Sequence, residues 1–142
     1  LAQTDKTYIF KDFAHAPSKV KATTEAVKKQ YSDKKLIACL ELHTFSSLNR
    51  DFIGNYKDTL VADTGIVFYD PHTLLHKKLP ALNKDQVQKA FNNNKLKIID
   101  NKEELISELK AIDLNNKALL LMSSGNFGGI NLQELAAELI AK

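Results

Sequence analysis

Residues 118–130 read ALLLMSSGNFGGI, an apolar run that passes directly into a polar, glycine-rich segment. The run Ala118–Met122 has the composition of a buried strand, and apolar residues at helical spacing follow from Leu132 onward. Three of the five glycines of the chain lie between these two elements. Because glycine lets a ligand approach the backbone closely and a helix N-terminus favours anions, the stretch predicts a strand–turn–helix unit with a binding site at the turn.

Apolar runs of the same kind recur along the chain, with segments of helical spacing between them. The other predicted strands are Tyr8–Phe13, Leu36–Glu41, Gly65–Tyr69 and Leu96–Ile99. Predicted helices begin at Pro17, at Ser46 or Ser47 (reaching Leu60), at Asn83, at Asn101 and at Asn131, whereas Thr73–Asn83 is expected to be irregular around Pro80. This alternation predicts an α/β fold over residues 1–142: a three-layer α/β/α Rossmann-like domain with a mainly parallel sheet of about five to six strands.

The composition is that of a globular domain of 142 residues, with 44% hydrophobic and 26% charged residues. No apolar run approaches the ~20 residues needed to cross a bilayer, so we expect no membrane partner. The net charge of +3 comes from dispersed lysines, and Arg50 is the only arginine. Nucleic-acid binders usually cluster their basic residues, so we expect a solvated surface and no nucleic-acid partner.

Two features of the sequence concern the cellular compartment and the length of the parent protein. A single cysteine, Cys39, lies in an apolar strand and has no partner for an internal disulfide, which is typical of an inert thiol in a cytoplasmic protein. The chain begins at Leu1 rather than at methionine. We therefore expect a domain of a longer protein.

Polar residues end most of the predicted strands. In open α/β sheets, ligands bind beyond the carboxyl ends of the strands, where the strand order reverses. We therefore expect these residues to share one edge of the sheet. They are Asp12 with His15, Glu41 with His43, Asp70 with His72, and Ser123, Ser124 and Asn126.

Several familiar sites do not match this sequence. The run GNFGG lacks the G-x-G-x-x-G spacing of dinucleotide-binding turns, and the chain has no phosphate-binding P-loop motif. His15 and His43, with the carboxylates Asp12 and Glu41, lack the H-x-x-x-H or C-x-x-C spacing typical of zinc ligands, so no metal site is predicted. A glycine-rich turn needed only for its shape stays open as an alternative.

Two further classes of protein remain as alternatives. A serine hydrolase would combine Ser123 or Ser46 with His15 and Asp12, but the nucleophile motif G-x-S-x-G is missing. A stand-alone binding or receiver-like module would use Asp70 as a phospho-acceptor. Asp12 then has no acidic neighbour with which to hold Mg²⁺.

Three motifs at strand ends together resemble one family. Lys11–Pro17 (KDFAHAP) resembles the D-[YF]-A-H-x-P signature that opens the C-terminal domain of Mur ligases. Glu41–Ser47 (ELHTFSS) lies where muramate–alanine ligases have a P-H-R-[YF]-[TS]-R-like motif. Met122–Ile130 (MSSGNFGGI) is similar to the M-S-N-G-G-F-G-G-I run of murein peptide ligases. The motifs occur in the family order and the resemblance spans almost the whole chain.

The resemblance implies the C-terminal domain of a multidomain ligase that is inactive by itself. Family members bind UDP-N-acetylmuramate in an N-terminal domain and ATP with Mg²⁺ on a central ATPase domain; the C-terminal domain binds no cofactor alone. It brings the incoming amino acid or peptide and closes over ATP. The implied reaction joins UDP-N-acetylmuramate to L-alanyl-γ-D-glutamyl-meso-diaminopimelate in peptidoglycan recycling, with ligation of L-alanine as the alternative.

The resemblance also implies roles for individual residues. Asp12 would accept hydrogen bonds from the ATP ribose, and His15 would act catalytically beside the nucleotide and the acyl phosphate. The pocket for the incoming peptide would comprise His43, Ser46, Ser47, Ser123, Ser124, Asn126 and Phe127.

The chain departs from the family pattern at the carboxylate clamp. Thr44 and Ser47 stand where arginines are common, so a bidentate clamp for a substrate carboxylate is missing unless Arg50 or a lysine replaces it. Ala16 also replaces the second histidine of the common A-H-H-P form. The identity of the added peptide therefore stays open.

Overall fold

The computed structural model describes residues 2–4, 6–43, 52–80 and 82–141. Its strands are β1 (Ala2–Gln3), β2 (Tyr8–Asp12), β3 (Lys35–Leu42), β4 (Thr64–Tyr69), β5 (Lys97–Ile99) and β6 (Lys117–Met122). Its α-helices are α1 (Pro17–Gln30), α2 (Pro71–His76), α3 (Lys84–Phe91), α4 (Lys102–Ala111) and α5 (Leu132–Ile140). Short 3₁₀ turns occupy Ile53–Tyr56 and Phe127–Gly129.

The strands form one sheet in the order β1-β2-β6-β3-β4-β5. Strands β2 to β6 are parallel to one another, and among the described residues only the two-residue β1 pairs antiparallel, on β2. Met122 of β6 lies opposite Asp12 of β2 on one side and Leu40 of β3 on the other. The α/β, Rossmann-like fold with a mainly parallel sheet is therefore confirmed.

Both faces of the sheet are covered, as the near-continuous apolar strands predict. Even-numbered residues of β3, such as Ala38 and Leu40, belong to the core formed with α1 and α3. Odd-numbered residues, such as Ile37 and Cys39, belong to the core formed with α4 and α5. This alternation places the side chain of Glu41 on the α4–α5 face.

Asparagines begin three of the helices, as their spacing predicts. Asn83 makes the full capping box with Gln86, in which each side chain accepts from the backbone N–H of the other residue. Asn101 and Asn131 each accept from the N–H three residues ahead, at 3.0 Å. These side chains satisfy donors that a helix N-terminus otherwise leaves unpaired.

Two local predictions are wrong. Residues 71–76, expected to be partly irregular, form α2, because Pro71 suits a first helical turn and the Asp70 carboxylate accepts from the His72 N–H at 2.9 Å. The helix expected to reach Leu60 is only the 3₁₀ turn Ile53–Tyr56 within the described residues, although Leu60 itself is buried. The expected start of that helix, at Ser46 or Ser47, lies outside the described residues.

No described helix has the length and apolar character that crossing a membrane requires.

Asp63 connects the beginnings of β3 and β4. Its Oδ2 accepts from the Leu36 N–H at 2.8 Å, and its own N–H donates to the Leu36 carbonyl at 3.0 Å. The Leu36 N–H, with further help from the Lys28 ammonium, holds the pKa of this carboxyl below its ordinary value of 3.8. A lowered pKa in the folded state means that the carboxylate stabilises the fold above 3.8 and that this stabilisation is lost at lower pH.

We predict that Asp63→Asn lowers the free energy of unfolding at pH 7 by about 0.5 kcal/mol, a small value because the carboxylate is partly exposed and screened. The deficit should shrink as the pH falls through and below 3.8, where wild-type Asp63 also becomes neutral. Urea unfolding across this pH range measures it. Asp33→Asn, at a side chain that is 78% exposed, is the control. A deficit that persists unchanged at acidic pH would contradict the prediction.

Candidate functional site

The insertion of β6 between β2 and β3 brings three loops to one edge of the sheet. The chain passes from β2 into α1 on one face of the sheet, whereas it passes from β6 into α5 on the other face. A crevice at such a divergence is the usual ligand site of an open parallel sheet. At this edge the Ser123 N–H donates to the Asp12 carbonyl at 3.1 Å, which joins the loop after β6 to the end of β2.

Glu41 lies at the centre of this edge and is only 2% exposed. Its Oε1 accepts from the Ser123 hydroxyl at 2.5 Å and from the Phe127 N–H at 2.9 Å. The Ser123 hydroxyl in turn accepts from the Gly125 N–H at 2.8 Å. A buried carboxylate requires such partners, since removing it from water is otherwise very costly. The loop following β6, residues 123–130 and here called the β6 loop, is therefore built around Glu41.

The β6 loop turns through three successive left-handed residues. Phe127, Gly128 and Gly129 have φ values of 54°, 68° and 89°. The left-handed region is natural for glycine but costs a bulky residue such as Phe127 of order 1–3 kcal/mol. The Phe127 ring is fully buried and stacks on Phe68, with centroids 6.3 Å apart, and Phe68 is the cross-strand neighbour of Glu41. Ring packing and the N–H bond to Glu41 together hold Phe127 in this conformation.

His43, two residues after Glu41, packs against the backbone of the β6 loop. A Cβ atom built on Gly125 would lie 2.6 Å from His43 Cγ, closer than real side chains approach. Only glycine therefore allows this contact. Ser124 and His43 are partly buried and Asn126 is exposed, so these three expected site residues present polar groups at the same edge.

The loop after β2 contains the other expected site residues. Asp12 Oδ1 accepts from the Ala14 N–H at 2.8 Å, which fixes the carboxylate and leaves its second oxygen for other partners. His15 Nδ1 lies 2.8 Å from the Phe13 carbonyl, to which it donates, and Nε2 is left for other partners. The Tyr56 hydroxyl donates to the His15 carbonyl, and the Phe13 ring, 68% exposed, meets His15 edge-on.

The structure thus places most of the expected residues at one edge of the sheet, but some of them are accessible and others are buried. Asp12, His15, His43, Ser124 and Asn126 are at least partly accessible, whereas Ser123 and Phe127 are fully buried. Ser46 and Ser47, together with Thr44 and Arg50, lie outside the described residues. Glu41 was expected at this edge from its place at a strand end, but the sequence interpretation gave it no role in the site. Its signal was an acidic residue inside the apolar strand LIACLEL.

The end of β4 forms a second feature of this edge. A groove of about 330 Å³ is bordered by Asp70, His72, Asp100, Lys102 and Gly128, among others. Asp12 and Asp70 do not meet, because β6 and β3 lie between their strands. No cluster of three or more histidines, cysteines or acids suited to a metal ion occurs among the described residues. This arrangement argues against a receiver-like site.

The contacts of Asp12, His15 and Ser123 do not support a hydrolase triad. The Ser123 hydroxyl donates to Glu41, while the Asp12 carboxylate and the His15 ring are hydrogen-bonded to neighbouring backbone groups.

Burial raises the pKa of the Cys39 thiol far above its ordinary value, and the charge of Glu41 raises it further. Cys39 is therefore an unreactive core residue, as its position in the sequence indicates.

We predict that Gly125→Ala lowers the free energy of unfolding by about 1–3 kcal/mol, because the new methyl group overlaps the His43 ring. Urea unfolding measures the loss. The His43→Ala background should remove most of it, giving a favourable coupling in a double-mutant cycle. Gly54→Ala is the matched control, since a Cβ there has no neighbour within 4 Å. Equal losses at positions 125 and 54 would contradict the proposed contact.

Comparison with known proteins shows what the chain is similar to. No family model matches the chain. The UDP-N-acetylmuramate–L-alanine ligase of Ruthia magnifica is 26% identical over 121 residues, which cover 83% of this chain and 26% of that protein. The chain spans about a quarter of the length of the curated relatives that it matches.

Solved structures share the fold. A murein peptide ligase from Psychrobacter arcticus aligns with a TM-score of 0.72 at 21% identity, covering 98% of this chain and 28% of that one. A domain assigned to a UDP-N-acetylmuramate:L-alanyl-γ-D-glutamyl-meso-diaminopimelate ligase of Haemophilus ducreyi aligns with a TM-score of 0.63 at 24% identity, covering 94% and 92% of the two chains. The chain therefore resembles Mur ligases in sequence, and its fold is that of their C-terminal domain.

Proposed function

We propose that this domain forms the amine-substrate half of an ATP-dependent ligase that joins UDP-N-acetylmuramate to L-alanyl-γ-D-glutamyl-meso-diaminopimelate. The observation that carries the proposal is the meeting of three motif-bearing strand ends at one crevice, where the Ser123 N–H binds the Asp12 carbonyl. The partners of the domain would be an N-terminal domain that binds the UDP-sugar and a central ATPase domain. ATP with Mg²⁺ would transfer a phosphoryl group to the muramate carboxylate, releasing ADP, and the amine would then attack the acyl phosphate and release phosphate.

The residues at the end of β2 suit a role beside the nucleotide. The Ala14 N–H fixes the Asp12 carboxylate, so that its second oxygen is in place to accept from ribose hydroxyls. His15 uses Nδ1 for the Phe13 carbonyl and is partly accessible, so Nε2 is available to a ligand at the same edge. In this proposal both groups position substrates and adjust the local electrostatics, and neither relays protons through a triad.

The residues of the β6 loop suit a role beside the incoming amine substrate. Ser124, Asn126 and His43 supply accessible hydrogen-bonding groups for a peptide. Ser123 and Phe127 are buried, and we propose that they act by shaping the loop rather than by touching substrate. Ser46 and Ser47 remain expected members of the same pocket.

The second candidate is ligation of L-alanine to the same UDP-sugar. It is favoured by the curated relatives, which are named as L-alanine ligases. The MSSGNFGGI run favours the tripeptide because it is similar to the murein peptide ligase motif.

We predict that the intact ligase containing this chain releases phosphate from ATP with UDP-N-acetylmuramate and the tripeptide, and at least tenfold more slowly with L-alanine, because only the correct amine completes the reaction. A coupled phosphate assay with each amine at equal concentration measures this. A tripeptide ending in L-lysine tests the third residue. Faster turnover with L-alanine would instead support the second candidate, and no turnover with any amine would overturn both.

We predict that Asp12→Asn in the intact ligase raises KM for ATP on the order of tenfold, because a ribose hydrogen bond to a charged acceptor is weakened. The asparagine oxygen keeps the Ala14 bond, so the turn survives. Steady-state kinetics at saturating amine measure the effect. Asp113→Asn is the matched control, because the Asp113 carboxylate makes the same bond two residues ahead, to the Asn115 N–H at 3.0 Å. Unchanged KM for ATP in Asp12→Asn would contradict the ribose role.

A further inference from the structure

Glu41 holds the β6 loop at both ends of a three-residue segment. Its carboxylate accepts from Ser123 on one side of residues 124–126 and from Phe127 on the other. The Ser123 hydroxyl also accepts from the Gly125 N–H inside the segment. Ser123 and Phe127 are buried, and the residues between them are partly buried or exposed. Residues 124–126 are thus an accessible segment of the loop that is fixed from beneath.

The same strand also contacts the middle of this segment. β3 ends at Leu42, and the next residue, His43, packs its ring against Gly125. Glu41 and His43 therefore hold residues 124–126 at the two ends and at the centre. Because cores and buried polar networks are close-packed, we expect that removing the Glu41 carboxylate changes the conformation of the β6 loop as well as its stability.

We propose that Glu41 is a positioning residue that sets the conformation of residues 124–126 for binding the amine substrate. This inference rests on the proposed function. Glu41 acts as a hydrogen-bond acceptor, and its contribution comes from the geometry of Oε1 toward Ser123 and Phe127. Glutamine retains an acceptor oxygen at that place, whereas alanine leaves both donors unpaired.

The nucleotide side of the crevice does not depend on this carboxylate. The Ser123 N–H reaches the Asp12 carbonyl as a continuation of the pairing between β6 and β2. The Asp12 carboxylate takes its own hydrogen bond from Ala14. Loss of Glu41 should therefore impair the amine substrate selectively.

The first measurement is amide hydrogen exchange by NMR on this chain. Glu41→Ala should accelerate exchange of the Phe127 and Gly125 N–H groups at least tenfold relative to amides in the centre of β6, and Glu41→Gln should restore most of the protection. Thr7→Val is the control for losing a buried hydrogen bond, because the Thr7 hydroxyl donates to the Leu114 carbonyl at 2.7 Å at the opposite edge of the sheet. Unchanged exchange at Phe127 in Glu41→Ala would overturn the inference.

The second measurement is steady-state kinetics of the intact ligase with the tripeptide. Glu41→Ala should raise KM for the tripeptide at least tenfold and leave KM for ATP within threefold, Glu41→Gln should recover at least half of the lost kcat/KM, and Thr7→Val should resemble wild type. Equal increases in both KM values, or no recovery by glutamine, would overturn the positioning role while Asp12→Asn still tests the ligase function. Absence of ligase activity in the wild-type protein would overturn the proposed function itself.

Discussion

The position of β6 between β2 and β3 is the constraint on which the rest of the site depends. The chain finishes three strands on one side of the sheet before it returns to fill the gap between the first two long strands. Residues separated by more than a hundred positions thereby become neighbours, as in the bond from the Ser123 N–H to the Asp12 carbonyl. Because α5 then covers the opposite face from α1, the loops diverge and leave a crevice rather than a continuous surface.

A buried carboxylate then organises that crevice. Glu41 gains hydrogen bonds from a hydroxyl and a backbone N–H, which offset its removal from water. Phe127 gains in return a fixed N–H and a stacking partner, which offset its left-handed backbone. The Phe127 N–H thus helps to satisfy the buried carboxylate, and the carboxylate helps to hold Phe127 in its left-handed conformation. This interdependence explains why a polar network occurs within an otherwise apolar layer.

Most of the fold was predictable because it follows from periodicity and from local caps. The five parallel strands are apolar runs. Helix starts are marked by Asn83, Asn101 and Asn131, each of which accepts a hydrogen bond from the backbone N–H three residues ahead. The short α2 was missed because its capping residue, Asp70, also reads as the end of β4. Strand β1 has two residues, too few for any pattern. The roles of Glu41 and Gly125 depend on partners from other strands, and a single sequence does not reveal which distant residue fills each place.

The MSSGNFGGI run contains residues that the fold itself requires and residues whose side chains are accessible to a ligand. Ser123, Gly125, Phe127 and Gly128 are explained by contacts beneath the loop or by a left-handed backbone. Those requirements come from the fold, so the same residues suit any substrate that the loop serves. Ser124 and Asn126 have no such explanation among the described contacts, and their side chains are accessible. A resemblance that rests on the first set therefore indicates the loop architecture, whereas under the proposed function the choice between an amino acid and a peptide would fall to the second set.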